Sequence, residues 1–315
     1  AKDLANALKT AINSVYGLTS ANFENPFRDP RNKDNIVAKR GALFMINLKH
    51  EVQERGFTVA HIKTDSIKIP DATPEIIKFV MDYGKRYGYT FEHEATYDRM
   101  CLVNDAVYIA KYKDGKWTAT GTQFQIPYVF KKLFSGEEIV FKDMCETKSV
   151  SSALYLDMNE KLPQLTTEEE RELNAIDKAW NSQAGGKSLE DVASKYGYTY
   201  EEIGARYSEL CKKDEATHNY IFIGRVGQFC PIKSGAGGGL LMREKDGRYY
   251  AATGSKGYRW LESEMVKELS KEDSIDRSYY DKLVDDAVET ISKYGDFEWF
   301  ISDDPVSYTH LRAHE

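Results

Sequence analysis

The chain has 315 residues and a formal net charge of −7, with 41% hydrophobic and 30% charged residues. This balance argues against a disordered chain and is typical of a globular protein with a core of its own. The four cysteines lie far apart without a C-x-x-C pair, so we expect neither a disulfide framework nor a cysteine zinc site. No stretch resembles a signal peptide or a membrane span, so we expect no membrane partner.

The first residues predict an amphipathic helix. Its apolar positions recur at helical spacing: Leu4, Leu8, Ile12 and Val15. Gly17 can cap its C-terminus, and because neither Met nor a capping residue precedes the helix, we expect the chain to be cut from a longer one. Lys9, Asn13 and Tyr16 stand at i, i+4 and i+7 and share a second face. Taken alone, that face is more typical of an ordinary exposed surface than of a site.

The stretch FTVAHIKTDSIKIP, residues 57 to 70, predicts a β-hairpin, because two β-branched apolar runs flank the polar tetrapeptide KTDS. Asp65 at the turn can stabilise the turn by accepting hydrogen bonds from nearby backbone. It can also be a ligand that a tight hairpin presents on a rigid support. Residues 35 to 55 predict a helix before the hairpin, and Thr73 and Pro74 begin another helix that ends near Gly88.

Strands are predicted next, over residues 89–97, 101–112 and 116–124, with Asp114-Gly115 as the turn between the last two. The remaining predicted helices cover residues 127–134, 166–180, 188–210 (two short helices around Y-G-Y) and 278–294. The helix over residues 166–180 is acidic and amphipathic, which favours a solvated outer face. The acidic residues of 188–210 argue against phosphate contact and favour a packing role.

Positive charge is concentrated in a glycine-rich segment, residues 219 to 260, which is predicted to be β. This segment has seven basic residues and only two acidic ones. The basic residues are Arg225, Lys233, Arg243, Lys245, Arg248, Lys256 and Arg259. Both a solvated sheet surface and a phosphate-binding surface fit this pattern.

Taken together, the first helix and the hairpin resemble the family B DNA polymerases. K-T-A-I-N-S-V-Y-G, from Lys9 to Gly17, resembles the fingers motif K-x-x-x-N-S-x-Y-G, and K-T-D-S resembles the D-T-D-S hairpin of the family's palm. Ala110-Lys111-Tyr112 is a looser match to the K-x-Y element of the palm. The order and context of these motifs agree over residues 1–136. The later segments GQFCPIK, GSKGYRW and IDRSYYDKLVDDA look like the C-terminal region of phage members.

The resemblance implies an α+β fold: a polymerase palm, made of an antiparallel sheet with packed helices, together with partial helical fingers and a mixed α/β thumb. Residues 1–34 would be the C-terminal part of the fingers, 35–150 the palm and 151–304 the thumb and C-terminal region. Residues 305–315 resemble the translation of a transposon-derived sequencing adapter, so they are set aside as a non-native tail. We therefore expect a phage-encoded fragment whose parent acts in the cytoplasm of an infected bacterium.

The implied activity is DNA-directed DNA polymerisation, in which two Mg²⁺ ions assist transfer of a deoxynucleotide to a primer 3′ end. Asp65 would be a metal ligand, and Lys9 would hold the triphosphate of the incoming deoxynucleoside triphosphate as a point charge. Asn13 and Tyr16 would line the nascent base pair, with Gly17 permitting close approach. The resemblance thus implies a catalytic pair, Asp65 and Lys9, on two separate elements.

The same resemblance implies a second set of residues that contact the primer-template DNA through its phosphates. Lys111 and Tyr112 would touch the backbone near the primer end. The basic segment would grip the duplex as part of the thumb, with binding that weakens as salt rises. Its proposed contacts are Arg225, Lys233, Lys256 and Arg259.

Lys63 departs from the family pattern, which has an Asp at that position. A lysine there can contact the primer phosphate, can be a plain surface residue of the turn, or can mark a site that has lost activity. The family's other catalytic Asp lies before the fingers helix, and one carboxylate cannot hold two Mg²⁺ ions, so we expect this chain alone not to extend a primer. The alternatives are a non-catalytic DNA-binding relative with an inactivated metal site, and an α/β protein whose motifs are coincidental.

Overall fold

The computed structural model describes residues 2–182 and 188–303, and it combines 48% helix and 20% strand in antiparallel sheets. This composition confirms the predicted α+β class. The chain forms two compact units, Ala1–Thr118 and Ala119–Glu315. The adapter-like residues 305–315 lie outside the described part. No helix within the described residues is both long and apolar enough to cross a bilayer.

The first unit consists of four helices and a small set of short antiparallel strands, the last of which crosses the unit boundary. Its elements are α1 (Lys2–Ser20), α2 (Pro30–Lys33), α3 (Ile36–Glu54), β1 (His61–Ile62), β2 (Ile67–Lys68), α4 (Pro74–Arg86), β3 (Tyr97–Leu102), β4 (Tyr108–Tyr112) and β5 (Trp117–Ala119). Strands β1 and β2 form one hairpin, and β3, β4 and β5 form a three-stranded sheet. The predicted helices over residues 35–55 and from Thr73 are confirmed, as is the Asp114-Gly115 turn between β4 and β5.

The core of this unit lies between α3 and α4, whose apolar residues repeat at helical spacing. Leu48 and Val52 of α3 and Ile76 of α4 are almost completely buried there. Ile67 of β2 packs against the same core, so one face of the hairpin is fixed to the two helices. At the start of α4, the Thr73 hydroxyl accepts a hydrogen bond from the backbone N–H of Ile76, which satisfies one of the free donors of the first turn.

Three predictions for this unit are wrong, and a fourth, the strand over residues 116–124, holds only for Trp117–Ala119, because Thr122–Gln125 is helical. Helix α1 does not end at Gly17 but continues to Ser20, and the hydroxyls of its last turn, Thr19 and Ser20, donate to the carbonyl of Tyr16. Residues 89–96 form no strand, because Phe91 turns into the α3–α4 core instead of alternating along a sheet. Residues 101–112 do not form one strand but turn at Asn104, whose side chain accepts from two backbone N–H groups.

The second unit combines a five-stranded antiparallel sheet with helices. Its elements are α5 (Thr122–Gln125), α6 (Pro127–Phe130), β6 (Glu146–Asp157), α7 (Thr167–Asn181), α8 (Leu189–Tyr196), α9 (Tyr200–Thr217), β7 (Tyr220–Ile232), β8 (Leu240–Lys245), β9 (Arg248–Ala251), β10 (Arg259–Glu262), α10 (Ser263–Glu268), α11 (Arg277–Ser292) and α12 (Phe297–Ile301). The strand order is β10-β7-β6-β8-β9. The β character predicted for the basic segment is thereby confirmed.

The core of the second unit forms between this sheet and α11. Leu154 and Phe229, from neighbouring strands, are fully buried there together with Trp260 of β10 and Tyr280 of α11. The rings of Tyr128 and Tyr280 stack at a centroid distance of 4.8 Å. Large aromatic side chains supply much of the buried area in such a core.

Helices α7, α8 and α9 form a smaller cluster of their own. Each begins with a capping box: a Thr or Ser hydroxyl accepts from the third helical N–H, and an acidic side chain accepts from the cap N–H. Ile176, Ile203 and Leu210 are buried between the helices. The packing role predicted for residues 188–210 is confirmed, because α8 and α9 bury their apolar faces against α7.

Candidate functional site

The KTDS turn lies at the tip of the β1–β2 hairpin in the first unit. His61 pairs with Lys68 and Ile62 with Ile67, and the backbone N–H of Lys63 donates to the carbonyl of Ser66 over 2.8 Å. The strands are only two residues long, so the hairpin depends on its packing for order. Ile67 supplies that packing on one face. The sequence-predicted hairpin is therefore confirmed, with a short ladder and an exposed tip.

Asp65 stands at this tip with its side chain exposed. Within the described residues its carboxylate accepts no hydrogen bond and forms no ion pair within 4.0 Å. The turn-stabilising role open to it from the sequence is thus not used in this structure, because such a role needs hydrogen bonds to neighbouring backbone N–H groups. A carboxylate held on a short hairpin and left without a local partner is available to a ligand.

The hairpin face that carries Lys63 points toward strand β4. The Lys63 ammonium lies 5.8 Å from the ring centroid of Tyr108, and that of Lys68 lies 4.8 Å from the same ring. His61, on the same face, brings its Nε2 within 2.8 Å of the carbonyl oxygen of Asp105 in the β3–β4 turn. The tip that presents Asp65 is therefore held beside β4, the strand that carries Lys111 and Tyr112.

Lys111 and Tyr112 themselves lie in the sheet. Lys111 is only 6% exposed, and its ammonium is 5.6 Å from the ring centroid of Trp117. Tyr112 is half-buried, with its ring 5.2 Å from that of Tyr97. Burial, and then a hydrogen bond with Tyr108, raise the pKa of Tyr97 well above its usual range. In this conformation Lys111 is covered, whereas the lysines of the hairpin are more accessible.

Helix α1 presents its predicted site residues to solvent. Lys9, Asn13 and Gly17 are exposed, and Tyr16 is 43% exposed. The apolar face of the same helix is exposed as well, with Ile12 at 69%. Among the described residues, no hydrogen bond or ion pair joins α1 to Asp65. The predicted meeting of Lys9 with Asp65 across a nucleotide stays a prediction.

In the second unit, the four predicted DNA contacts differ in what they already bind. The Arg259 guanidinium donates to the carbonyl of Gly238 and to the side-chain oxygen of Asn159, so it holds the glycine-rich loop in place. The Lys233 ammonium donates to the backbone carbonyl of Asp273. Arg225 and Lys256 are exposed and have no hydrogen bond or ion pair with any part of the chain that the structure describes.

The β8–β9 hairpin carries a second group of exposed cations. Arg243 pairs with Tyr250 and Lys245 with Arg248, and residues directly opposite in an antiparallel ladder share a face. These four exposed side chains therefore form one surface, here called the basic hairpin face. None of its three cations is joined to a carboxylate within the described residues. Its acidic neighbour Glu244 lies on the opposite face of the strand.

Sequence reasoning missed Lys68 and Tyr108 beside the KTDS turn and did not separate the basic hairpin face from the rest of residues 219–260. Strand alternation could have found the second group, because Arg243 and Lys245 are two residues apart and so point the same way. No local signal could have placed Tyr108 under Lys68. A scan against protein-family models finds no match for this chain, and a search of curated proteins finds none either.

Proposed function

We propose that this chain carries part of a DNA-directed DNA polymerase, with the β1–β2 hairpin at the reacting end of a primer and the second unit on duplex DNA. The observation that carries the proposal is the exposed Asp65 carboxylate at the tip of the K-T-D-S hairpin, beside the strand that carries Lys111 and Tyr112. This carboxylate makes no hydrogen bond with any residue in 2–182 or 188–303. The ordered resemblance of α1 and the hairpin to polymerase motifs supports the same function.

The residues described here do not on their own fit a two-Mg²⁺ site. Among residues 2–182 and 188–303, no group of three or more His, Cys, Asp or Glu side chains is placed to hold a metal ion. One carboxylate cannot supply the ligands that two hard cations need. Asp65 would thus be one ligand of a site completed by other groups, and the roles of this chain's own residues are binding and positioning.

Those roles follow from charge and shape. Lys9 is an exposed cation on α1 that can hold a triphosphate, and Tyr16, on the same helix, offers a ring that can pack against a base. The cations of the second unit would neutralise phosphates of the duplex without reading its sequence. The proposed substrates are therefore a primer-template duplex and deoxynucleoside triphosphates.

The proposal is tested by a primer-extension assay with Mg²⁺, using the protein encoded by the complete open reading frame that contains these residues. We expect extension by the unchanged protein and at least a hundredfold loss in Asp65→Asn. Duplex affinity and thermal unfolding should be unchanged, because the Asp65 side chain makes no hydrogen bond with the part of the chain that the structure describes. Asp71→Asn, an exposed acid after the same hairpin, is the matched control. Extension that is equal in both variants would refute the role of Asp65.

A second candidate function is non-catalytic DNA binding, favoured by Lys63 at the position where the resembling family has a carboxylate. In that case the protein encoded by the complete reading frame binds duplex DNA but incorporates no deoxynucleotide. Asp65→Asn then has no activity to remove. The same extension assay separates the two functions, because duplex binding is common to both and incorporation belongs to only one.

The basic hairpin face gives a prediction shared by both functions. Arg243→Gln/Lys245→Gln/Arg248→Gln is expected to weaken duplex binding and to reduce the slope of log affinity against log salt by roughly 2 to 3, because each phosphate neutralised contributes about 0.9 to that slope. Fluorescence anisotropy with a labelled duplex at several salt concentrations measures both. Lys78→Gln/Lys116→Gln/Lys293→Gln removes the same charge from lysines that are already paired with carboxylates, so it is the control. Equal slopes in the two triple variants would contradict this assignment.

A further inference from the structure

The β1–β2 hairpin has two chemically different faces, and the difference follows from strand alternation. Ile67 lies on the face that packs against α3 and α4. Lys68, next in sequence, points the other way and pairs across the ladder with His61. Lys63 is two residues after His61 and so shares its face. The register thus places both lysines on the side turned away from the apolar core.

Both lysines reach the same aromatic ring. Their ammonium groups lie 5.8 Å (Lys63) and 4.8 Å (Lys68) from the ring centroid of Tyr108, distances at which a cation is attracted by the ring quadrupole. Both side chains are half-buried. Within the described residues, neither ammonium forms a hydrogen bond or an ion pair within 4.0 Å of a carboxylate. Two neighbouring cations therefore share one ring without a directly bound counter-ion.

This arrangement favours an anion. Burial, and after it the charge of Lys63, lower the pKa of Lys68, whereas the carboxylates of Glu94 and Asp65 oppose that shift. Neither carboxylate reaches an ion-pair distance, so the local charge is only partly balanced. A doubly or singly charged oxyanion between the two ammonium groups would accept hydrogen bonds from both and remove their mutual repulsion.

We propose that Lys63 and Lys68, supported by the Tyr108 ring, bind a phosphate group directly at the hairpin. A carboxylate at position 63 would need a metal ion to reach a phosphate, whereas an ammonium binds it without one. The inference rests on the proposed function for the source of the phosphate, which is either the backbone of the primer-template duplex or the triphosphate of a nucleotide. Lys68, which the polymerase motifs do not include, is thereby assigned to the same site.

The test compares Lys63→Gln/Lys68→Gln with Lys78→Gln/Lys116→Gln, which loses the same charge from the same unit at lysines already paired with Asp82 and Asp114. Binding of a labelled primer-template duplex, of dATP and of inorganic pyrophosphate is measured without Mg²⁺. We expect the hairpin variant to bind at least one of these ligands roughly tenfold more weakly at low salt, and the control to bind like the unchanged protein. Lys63→Arg/Lys68→Arg, which keeps both charges, should retain binding.

The pattern of losses identifies the source. A loss for the duplex alone indicates backbone phosphate, and a loss for dATP and pyrophosphate indicates the triphosphate. A direct check on the unchanged protein is the shift of the Tyr108 ring resonances in NMR on adding pyrophosphate. Unchanged affinities in the hairpin variant together with unmoved ring resonances would overturn the inference. That result would leave the polymerase proposal standing, since the latter is decided by the effect of Asp65→Asn on extension.

Discussion

Replacing His218 with alanine is expected to lower the free energy of unfolding of the second unit by about 3 kcal/mol. Asp157 at the end of β6 is fully buried, and its carboxylate accepts from His218 Nδ1 over 2.6 Å and from the backbone N–H of Asn219 over 2.7 Å. Removing the imidazole leaves a buried carboxylate with one of its two hydrogen bonds. Urea unfolding followed by far-UV circular dichroism measures the loss.

Asp214 supplies the matched control. It lies 3.4 Å from His218 Nε2, but its side chain is 44% exposed, so Asp214→Asn should change the unfolding free energy by less than about 1 kcal/mol. Equal losses of unfolding free energy in the two variants would show that the burial of Asp157 does not determine how much stability His218→Ala loses.

The same pair gives the direction of a pH effect. The hydrogen bond to Asp157 raises the pKa of His218 above its ordinary 6.5. The folded state therefore binds the proton more tightly than the unfolded state, and this contribution to stability is complete below about pH 6.5. It is lost as pH rises through the raised pKa. The stability difference between the unchanged protein and His218→Ala should accordingly be larger at pH 6 than at pH 9.

Replacing Trp260 with alanine is expected to cost about 3 to 5 kcal/mol of unfolding free energy, among the largest effects of any single change in this chain. The side chain is fully buried, and its ring centroid lies 5.3 Å from that of Tyr279 in an edge-to-face arrangement. Its indole N–H donates to the carbonyl of Ser255 over 3.1 Å. The alanine variant would lose these contacts and leave a cavity. The Ser255 carbonyl would lose the indole hydrogen bond but keep the one that it accepts from the backbone N–H of Tyr258.

Trp180 on α7 is the comparison for this variant, because it is 56% exposed and stacks on the ring of Tyr207 at 5.5 Å. Trp180→Ala should cost about 1 kcal/mol or less. Thermal unfolding of both variants, followed by circular dichroism, tests the contrast. A Trp260→Ala protein as stable as Trp180→Ala would mean that the sheet does not close around Trp260.

Local sequence signals predicted most of the helices correctly. The pairs Thr166/Glu169, Ser188/Asp191 and Thr199/Glu202 stand three residues apart, and that spacing fixes reciprocal hydrogen bonds within a single turn. Two failures, at the end of α1 and at Asn104, arose from local side-chain hydrogen bonds that the sequence analysis did not consider. The third arose where a distant contact competed with local preference. Phe91 reads as part of an alternating strand, yet its ring packs against the core between α3 and α4, which removes part of its apolar surface from water.

In the candidate site, too, some features follow from the sequence alone and others from tertiary contacts. The sequence alone predicted that Asp65 would stand in a tight hairpin, because two β-branched apolar runs flank the KTDS tetrapeptide. The observed register, in which His61 pairs with Lys68, is what puts Lys63 and Lys68 on one face. Only the tertiary structure decided that Tyr108 lies under both lysines, that Arg259 is used to hold the glycine-rich loop, and that Asp157 meets His218. Those contacts join residues far apart in sequence, and their geometry depends on which strands become neighbours, which no local pattern specifies.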